Sequence, residues 1–152
     1  MASLTDPFSG EESFNAPAAK VYAVITSFDA YAKAIPGLVS ADKQPDGSMK
    51  TVIKPGFSFA SGTVKAHMKF TEQTPHTRAV LQIDSSGIGM TLNLEAAMNV
   101  IAEGADKAKV QWTGRVTSYS GLVKLAPSAL VRGAADKVVK DGWAELRKQI
   151  EA

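Results

Sequence analysis

The chain has 152 residues, 45% of them hydrophobic and 21% charged, with a formal net charge of +2. This suits one globular domain over residues 1–152, its ordered core running from about residue 7 to about residue 150, and is too little for two ordinary domains. The small net charge gives no reason to expect nucleic acid. The absence of cysteine excludes disulfides, thiol catalysis and thiolate metal ligands together.

The first residues, MASLTDPF, carry no basic segment followed by an apolar run. No apolar stretch approaches the roughly 20 residues of a membrane span, so the expectation is a cytoplasmic protein. Phe8 to Asn15 reads as a short strand with Phe8 and Phe14 on one parity. Asn15 before Ala16-Pro17 predicts a helix start, with Asn as cap and Pro inside the first turn. The helix runs through AAKVYAVITS and buries Val21, Val24, Ile25 and Phe28. A second short helix, FDAYAKAI, stops at Pro36-Gly37.

From Leu38 the apolar period changes to two. Val39–Gln44 and Met49–Lys54 flank the turn Pro45-Asp46-Gly47. Four clearer strands follow, at Thr63–Gln73, Thr77–Asp84, Gly89–Glu103 and Lys107–Ser118. Val64, Ala66, Met68 and Phe70 share one side of the first, and Ala79, Leu81 and Ile83 one side of the second. Met90, Leu92, Leu94, Ala96, Met98 and Val100 share one side of the third, and Val110, Trp112 and Val116 point inward from the fourth. Such alternation marks antiparallel strands with one wet face.

From Gly121 the chain reads as one long amphipathic helix. Val139, Trp143, Leu146 and Ile150 recur at i, i+4, i+7 and i+11 and form an apolar stripe. That stripe fades toward Arg132, where a face of Ala126, Ala129, Leu130, Gly133, Ala134 and Val138 takes over. Pro127 either starts this helix or kinks it, so its first residue is near Gly121 or near Pro127. The order of elements predicts an α+β domain, a curved antiparallel sheet wrapped around a long C-terminal helix, with two short helices between the first and second strands.

Antiparallel hairpins alternate ends. Ile35–Leu38, Pro55–Ser61, Ser85–Gly89 and Tyr119–Leu122 should therefore lie together, and the turns at Asp46, Pro75-His76 and Glu103–Asp106 at the opposite end. The first set is glycine-rich, apolar and nearly uncharged, and the second is polar. A loop such as PGFSFAS exposes Phe57 and Phe59 unless they cover a cavity. The small-residue half of the last helix is expected beside them, which places a pocket there.

Several motifs resemble one family: F-x-A-P-x-x-x-V from Phe14, Ala34-Ile35-Pro36-Gly37, Ser61-Gly62-Thr63-Val64, Trp112–Val116 and GLVKLAPSALVRGAA from Gly121. They resemble the G-subunit family of carbon monoxide dehydrogenase, within the START-like (SRPBCC), helix-grip superfamily. The resemblance runs from Phe8 to the end of the last helix, and Ile35-Pro36-Gly37 is its most specific element. It implies a helix-grip fold with a cavity between sheet and helix. It also implies an accessory role beside a molybdenum-type CO dehydrogenase or related oxidoreductase, by peripheral membrane recruitment or by carrying a lipophilic quinone or lipid. The resemblance supplies no catalytic motif.

The residues themselves carry little chemistry. The inward positions from Met49 to Val116 include no Asp, Glu, His, Lys or Arg, and general acid–base work needs such a group. Glu12 shares a parity with apolar neighbours, but a frayed edge strand explains that. Two histidines without clustered carboxylates make no metal site, so neither metal nor cofactor is expected. The expected site is an apolar pocket lined by Phe57, Phe59, Met68, Phe70, Met90, Leu92, Trp112, Tyr119, Leu130 and Ala134. Thr51, Ser58, Ser118 and Tyr119 are candidates to orient a ligand through hydroxyl groups. Core packing is the competing reading for each Met and aromatic residue. The expected function is non-enzymatic carriage of a hydrophobic molecule. The alternatives are a ligand-free docking module for a partner enzyme and a cyclase or hydrolase on the same scaffold.

Overall fold

The computed structural model describes residues 6–35, 37–54, 62–87, 89–121 and 127–152. In the last helix it describes the backbone but not the side chains of residues 128, 130, 134, 135 and 138. The elements run β1 (Phe8–Phe14), α1 (Ala18–Ile25), α2 (Phe28–Ala34), β2 (Leu38–Lys43), β3 (Met49–Ile53), β4 (Val64–Thr74), β5 (Arg78–Gly87), β6 (Met90–Gly104), β7 (Lys107–Gly121) and α3 (Ser128–Ile150). This is the α+β order expected from the sequence.

One sheet holds the strands in the order β1-β7-β6-β5-β4-β3-β2, and each neighbouring pair is antiparallel. From β2 onward every pair is consecutive in the chain. β1 alone crosses over, to pair with β7. The sheet is open, with β1 and β2 as its edges. The alternating hairpins put residues 37–38, 85–87 and 119–121 at one end of the sheet and the turns at 44–48, 75–77 and 104–107 at the other, as the sequence predicts, while the loop 55–61 lies outside the described residues.

Register threads the inward-facing residues into transverse rows. One row is Thr51, Ala66, Ser85, Leu92 and Tyr119. The next is Met49, Met68, Ile83, Leu94 and Val116. A third is Phe70, Leu81, Ala96, Gly114 and Phe8. A bulge holds the rows in step. Leu94 stands opposite Val116, while Asn93 stands opposite Ser118, so Thr117 is extra in β7. The parity beyond Val116 therefore flips. It turns Tyr119 inward and Ser118 outward, where Ser118 Oγ accepts from Asn93 Nδ2 at 2.8 Å. Ser118 is thus not an inward hydroxyl, because the bulge that reverses it leaves no mark in the alternation.

The helices differ from expectation in detail. Asn15 is not the cap of α1. Pro17 occupies the N-cap position without a side-chain bond, and the Asn15 backbone N–H donates to Glu151 Oε2 at 2.8 Å instead. Phe28 belongs to α2, whose cap is Ser27, its Oγ accepting from the Ala30 N–H at 3.3 Å. The buried face of α1 is Val21, Tyr22 and Ile25. Gly37 takes φ +75° and accepts from the Lys54 N–H at 2.8 Å, a close backbone approach that a side chain would obstruct.

α3 begins at Ser128, after Pro127, while Gly121 ends β7. Fixed φ and the lost N–H suit proline to this boundary. Trp143, Leu146 and Ile150 are buried, each contributing about 1.5–3 kcal/mol on the usual scale. The stripe does not fade at Arg132. Val131, two turns before Val139, is buried. Ala129 and Gly133 of the supposed small-residue face are exposed.

Candidate functional site

The core is divided. The larger cluster joins the sheet to all three helices, through residues such as Ile25, Met49, Met68, Val110, Trp143 and Ile150. A second, smaller cluster consists of Val64, Met90, Val116 and Val131, with Leu92, Leu94 and Tyr119 packed on it. The buried residues of the two form separate groups.

The division is clearest along the central strand β6. Met90 near one end and Met98 and Val100 toward the other are buried. Between them Leu92, Leu94 and Ala96 face the same way yet stay half-buried. In a filled two-layer domain the middle of the central strand is its driest part. Leu92 to Ala96 covers about 14 Å at strand rise, so the interruption has the length of a small ligand. On β7, Gly114 faces the same interruption from the row of Ala96. A Cβ built on Gly114 meets only Glu95 O, at 4.0 Å. Among the described residues, no side chain therefore fills the space where two neighbouring strands present their smallest inward residues.

Trp112 closes the inner side of this gap. Its indole stacks on Trp143 with ring centroids 6.4 Å apart. A Cβ on Gly10, directly opposite on β1, would lie 2.6 Å from the ring, so this glycine makes room for the indole. The Trp112 Nε1–H is buried without an acceptor among the described residues. Such a group carries a cost of about 1–3 kcal/mol. Tyr31 supports the same wall. Its hydroxyl donates to Ile25 O at 2.6 Å and lies 3.7 Å from the Met98 sulfur, and burial raises its pKa.

α3 is tied to β1 in both of its halves. Toward its C-terminus Arg147 pairs with Glu12 at 2.8 Å and Glu151 at 3.5 Å, donates to Ser13 O, and lies 4.5 Å over the Phe14 ring. Glu12, the inward carboxylate of β1, is therefore the partner of a helix arginine and not a loose edge residue. Toward its N-terminus Arg132 lies 4.1 Å over the Phe8 ring and donates to Asp6 O at 2.7 Å.

The residues predicted to line a pocket sort as follows. Met68 is buried in the larger cluster, and Phe70 packs there against Phe28 with centroids 5.1 Å apart. Trp112 stands between that cluster and the gap. Met90, Leu92 and Tyr119 come together in the smaller cluster. Phe57, Phe59 and Ser58 lie outside the described residues, as do the side chains of Leu130 and Ala134. Thr51 is buried and donates to Ala66 O at 3.3 Å, which leaves it no proton to offer. Sequence reasoning missed Gly114, Ala96 as a gap residue, Ser85 and Val131. Ala96 lies on the apolar parity of its strand, whereas Ser85 falls past the expected strand end and a glycine on an apolar parity reads as a weak strand position.

Among the described residues no group of His, Asp and Glu has the arrangement of a metal site, and no helix is long and apolar enough to cross a membrane. A hollow of about 180 Å³ lies on the outward face of β6 and β7, lined by Pro7, Glu95, Ala97, Thr113, Gly114 and Arg115. Glu95 and Arg115 in its lining are paired at 3.4 Å.

The model of the CoxG family, the G-subunit family of carbon monoxide dehydrogenase, matches residues 10–151. The chain belongs to the CoxG family. No curated protein matches it by sequence. A conserved protein from Geobacillus kaustophilus superposes with a TM-score of 0.87 at 16% identity, over 95% of each chain. A START superfamily protein from Mycobacterium smegmatis gives 0.71 at 13% identity, over 95% of this chain and 96% of its own. Norcoclaurine synthase from Thalictrum flavum, in complex with dopamine and hydroxybenzaldehyde, gives 0.54 at 16% identity, over 90% and 87%. At these identities the likeness concerns the fold. This CoxG chain has the START-like, helix-grip fold that its sequence motifs resemble.

Proposed function

We propose that this CoxG protein carries a hydrophobic small molecule, quinone-like or lipid-like, in the gap between β6, β7 and α3. We read it as a non-catalytic accessory of a CO-dehydrogenase-type oxidoreductase, working in the cytoplasm or at the membrane surface. The observation that carries this reading is the half-buried middle of β6, Leu92 to Ala96, between buried ends. Apolar side chains left half-wet forgo about 25 cal/mol for each Å² they could bury, and an apolar ligand recovers that on binding. The carrier mechanism is sequestration, since removing the ligand's own apolar surface from water is the driving force.

A non-catalytic role is supported by the chemistry of the inward face. Its one carboxylate among the described residues, Glu12, is bound to Arg147, and its buried polar side chain Thr51 has its proton on a strand carbonyl. The partner enzyme rests on the family alone.

Native mass spectrometry of detergent-free protein, followed by organic extraction, tests the carrier reading. A stoichiometric quinone or lipid is the expected result. A bare protein mass that does not change on addition of a short-chain alkyl benzoquinone or a fatty acid would overturn it. Co-purification with a stable enzyme partner would then favour the docking reading.

A further inference from the structure

The chain has three tyrosines, and they differ in what their hydroxyls do. Tyr22 donates to Arg78 O at 3.3 Å and Tyr31 to Ile25 O at 2.6 Å. Tyr119 makes no hydrogen bond with the described residues, although its ring packs on the cluster of Val64, Met90, Val116 and Val131. Its row across the sheet holds two other inward hydroxyls. Thr51 donates to Ala66 O at 3.3 Å, and Ser85 donates to Leu92 O at 2.5 Å. Both have committed their protons to strand carbonyls. Among the described residues Tyr119 is left as the inward hydroxyl of this row with a proton to give, opposite Leu92 at one end of the gap.

We propose that Tyr119 recognises an oxygen on the bound molecule. The site then selects an amphiphile with a carbonyl or hydroxyl oxygen at one end over a hydrocarbon of the same shape. The oxygen lies toward Tyr119, and the apolar body runs along Leu94 toward Ala96 and Gly114. Ser85 Oγ, which keeps its lone pairs, can accept from a hydroxyl at the same end. The proposal rests on the reading of the gap as a ligand site. A net hydrogen bond of this kind corresponds to a preference of roughly three- to tenfold.

The test compares para-butylacetophenone with its deoxy analogue para-butylethylbenzene, titrated into the full chain and into Tyr119→Phe. The wild type should bind the ketone roughly three- to tenfold more tightly. Tyr119→Phe should bind the two equally, with its affinity for the hydrocarbon unchanged. Ser118→Ala, on the opposite face, should keep the wild-type preference. A preference that survives in Tyr119→Phe, or is absent from the wild type, overturns the proposal. So does an equal loss of both compounds in a folded Tyr119→Phe, which would make the ring and not the hydroxyl responsible. If neither compound binds the wild type, the gap is not a ligand site, and the carrier reading falls together with this inference.

Discussion

Gly114→Val should raise stability and abolish binding together, a pairing that a filled core would not give. Gly114 lies between Trp112 and Val116 on the inward side of β7. Its Cβ would stand 4.0 Å from Glu95 O, an ordinary contact, with no nearer neighbour among the described residues. Replacing a strand glycine by a β-branched residue gains up to about 1 kcal/mol. The added methyl groups gain part of about 0.8 kcal/mol each from burial against Ala96 and Leu94. A net gain of about 1–2 kcal/mol raises Tm by about 2–8 °C in a domain of this size. The same atoms fill the space that a ligand needs. Scanning calorimetry and titration with para-butylacetophenone read both effects on one sample. A lowered Tm would mean that the face is already packed. A raised Tm with unchanged affinity would mean that binding happens elsewhere, and either result would refute the reasoning.

Gly10→Ala should cost about 1–3 kcal/mol by overpacking, because its Cβ would press the Trp112 ring against Trp143. Most of that cost should vanish in a Trp112→Phe background, and equal losses in both backgrounds would show that the clash is not the cause. Arg132→Ala removes the stack on Phe8 and the bond to Asp6 O, about 0.5–1 kcal/mol for the stack. Amide exchange should quicken over residues 128–139 while residues 143–150 keep their protection, and a uniform change along α3 would count against two separate halves. Asp46 accepts from Ser48 Oγ–H at 2.6 Å and from its N–H at 2.9 Å, and these bonds, more than the nearby His67, hold its pKa down. A lowered folded pKa means stability present at neutral pH and lost as pH falls from about 4 through that pKa. The Tm gap between wild type and Asp46→Ala should therefore be widest near neutral pH and narrow in acid; a constant gap would place the effect in turn geometry.

Much of the architecture is legible in local pattern. Period-two alternation marks each strand and its wet face, because one side of an antiparallel sheet must be buried. Proline and glycine mark the hairpin ends, and the C-terminal anchors of α3 follow from helical spacing. What escapes depends on contacts between distant residues. The bulge at Thr117 arises from the pairing of β6 with β7, and it turns Ser118 outward. The Asn15 amide takes Glu151 as its partner, a choice fixed only when α3 docks. Val131 is masked by Arg132, one residue away, which makes the stripe look as though it ends there. The gap itself depends on three small facts at once, namely Ala96, Gly114 and the half-burial of Leu94, and each reads as ordinary along the chain.

The attachment of α3 connects fold to the proposed function. Its last three turns carry Trp143, Leu146, Ile150 and the Arg147 contacts, and losing them would expose the larger cluster. Its first turns contribute Val131 to the smaller cluster and the Arg132 contacts to β1. The gap lies under the boundary between the two. A carrier needs a wall that holds its shape without ligand and a side that yields on loading and release. The Trp112–Trp143 stack, fixed by Gly10 and the anchored half of α3, supplies the first. Val131, Arg132 and the end of the gap beside Tyr119 are placed to supply the second.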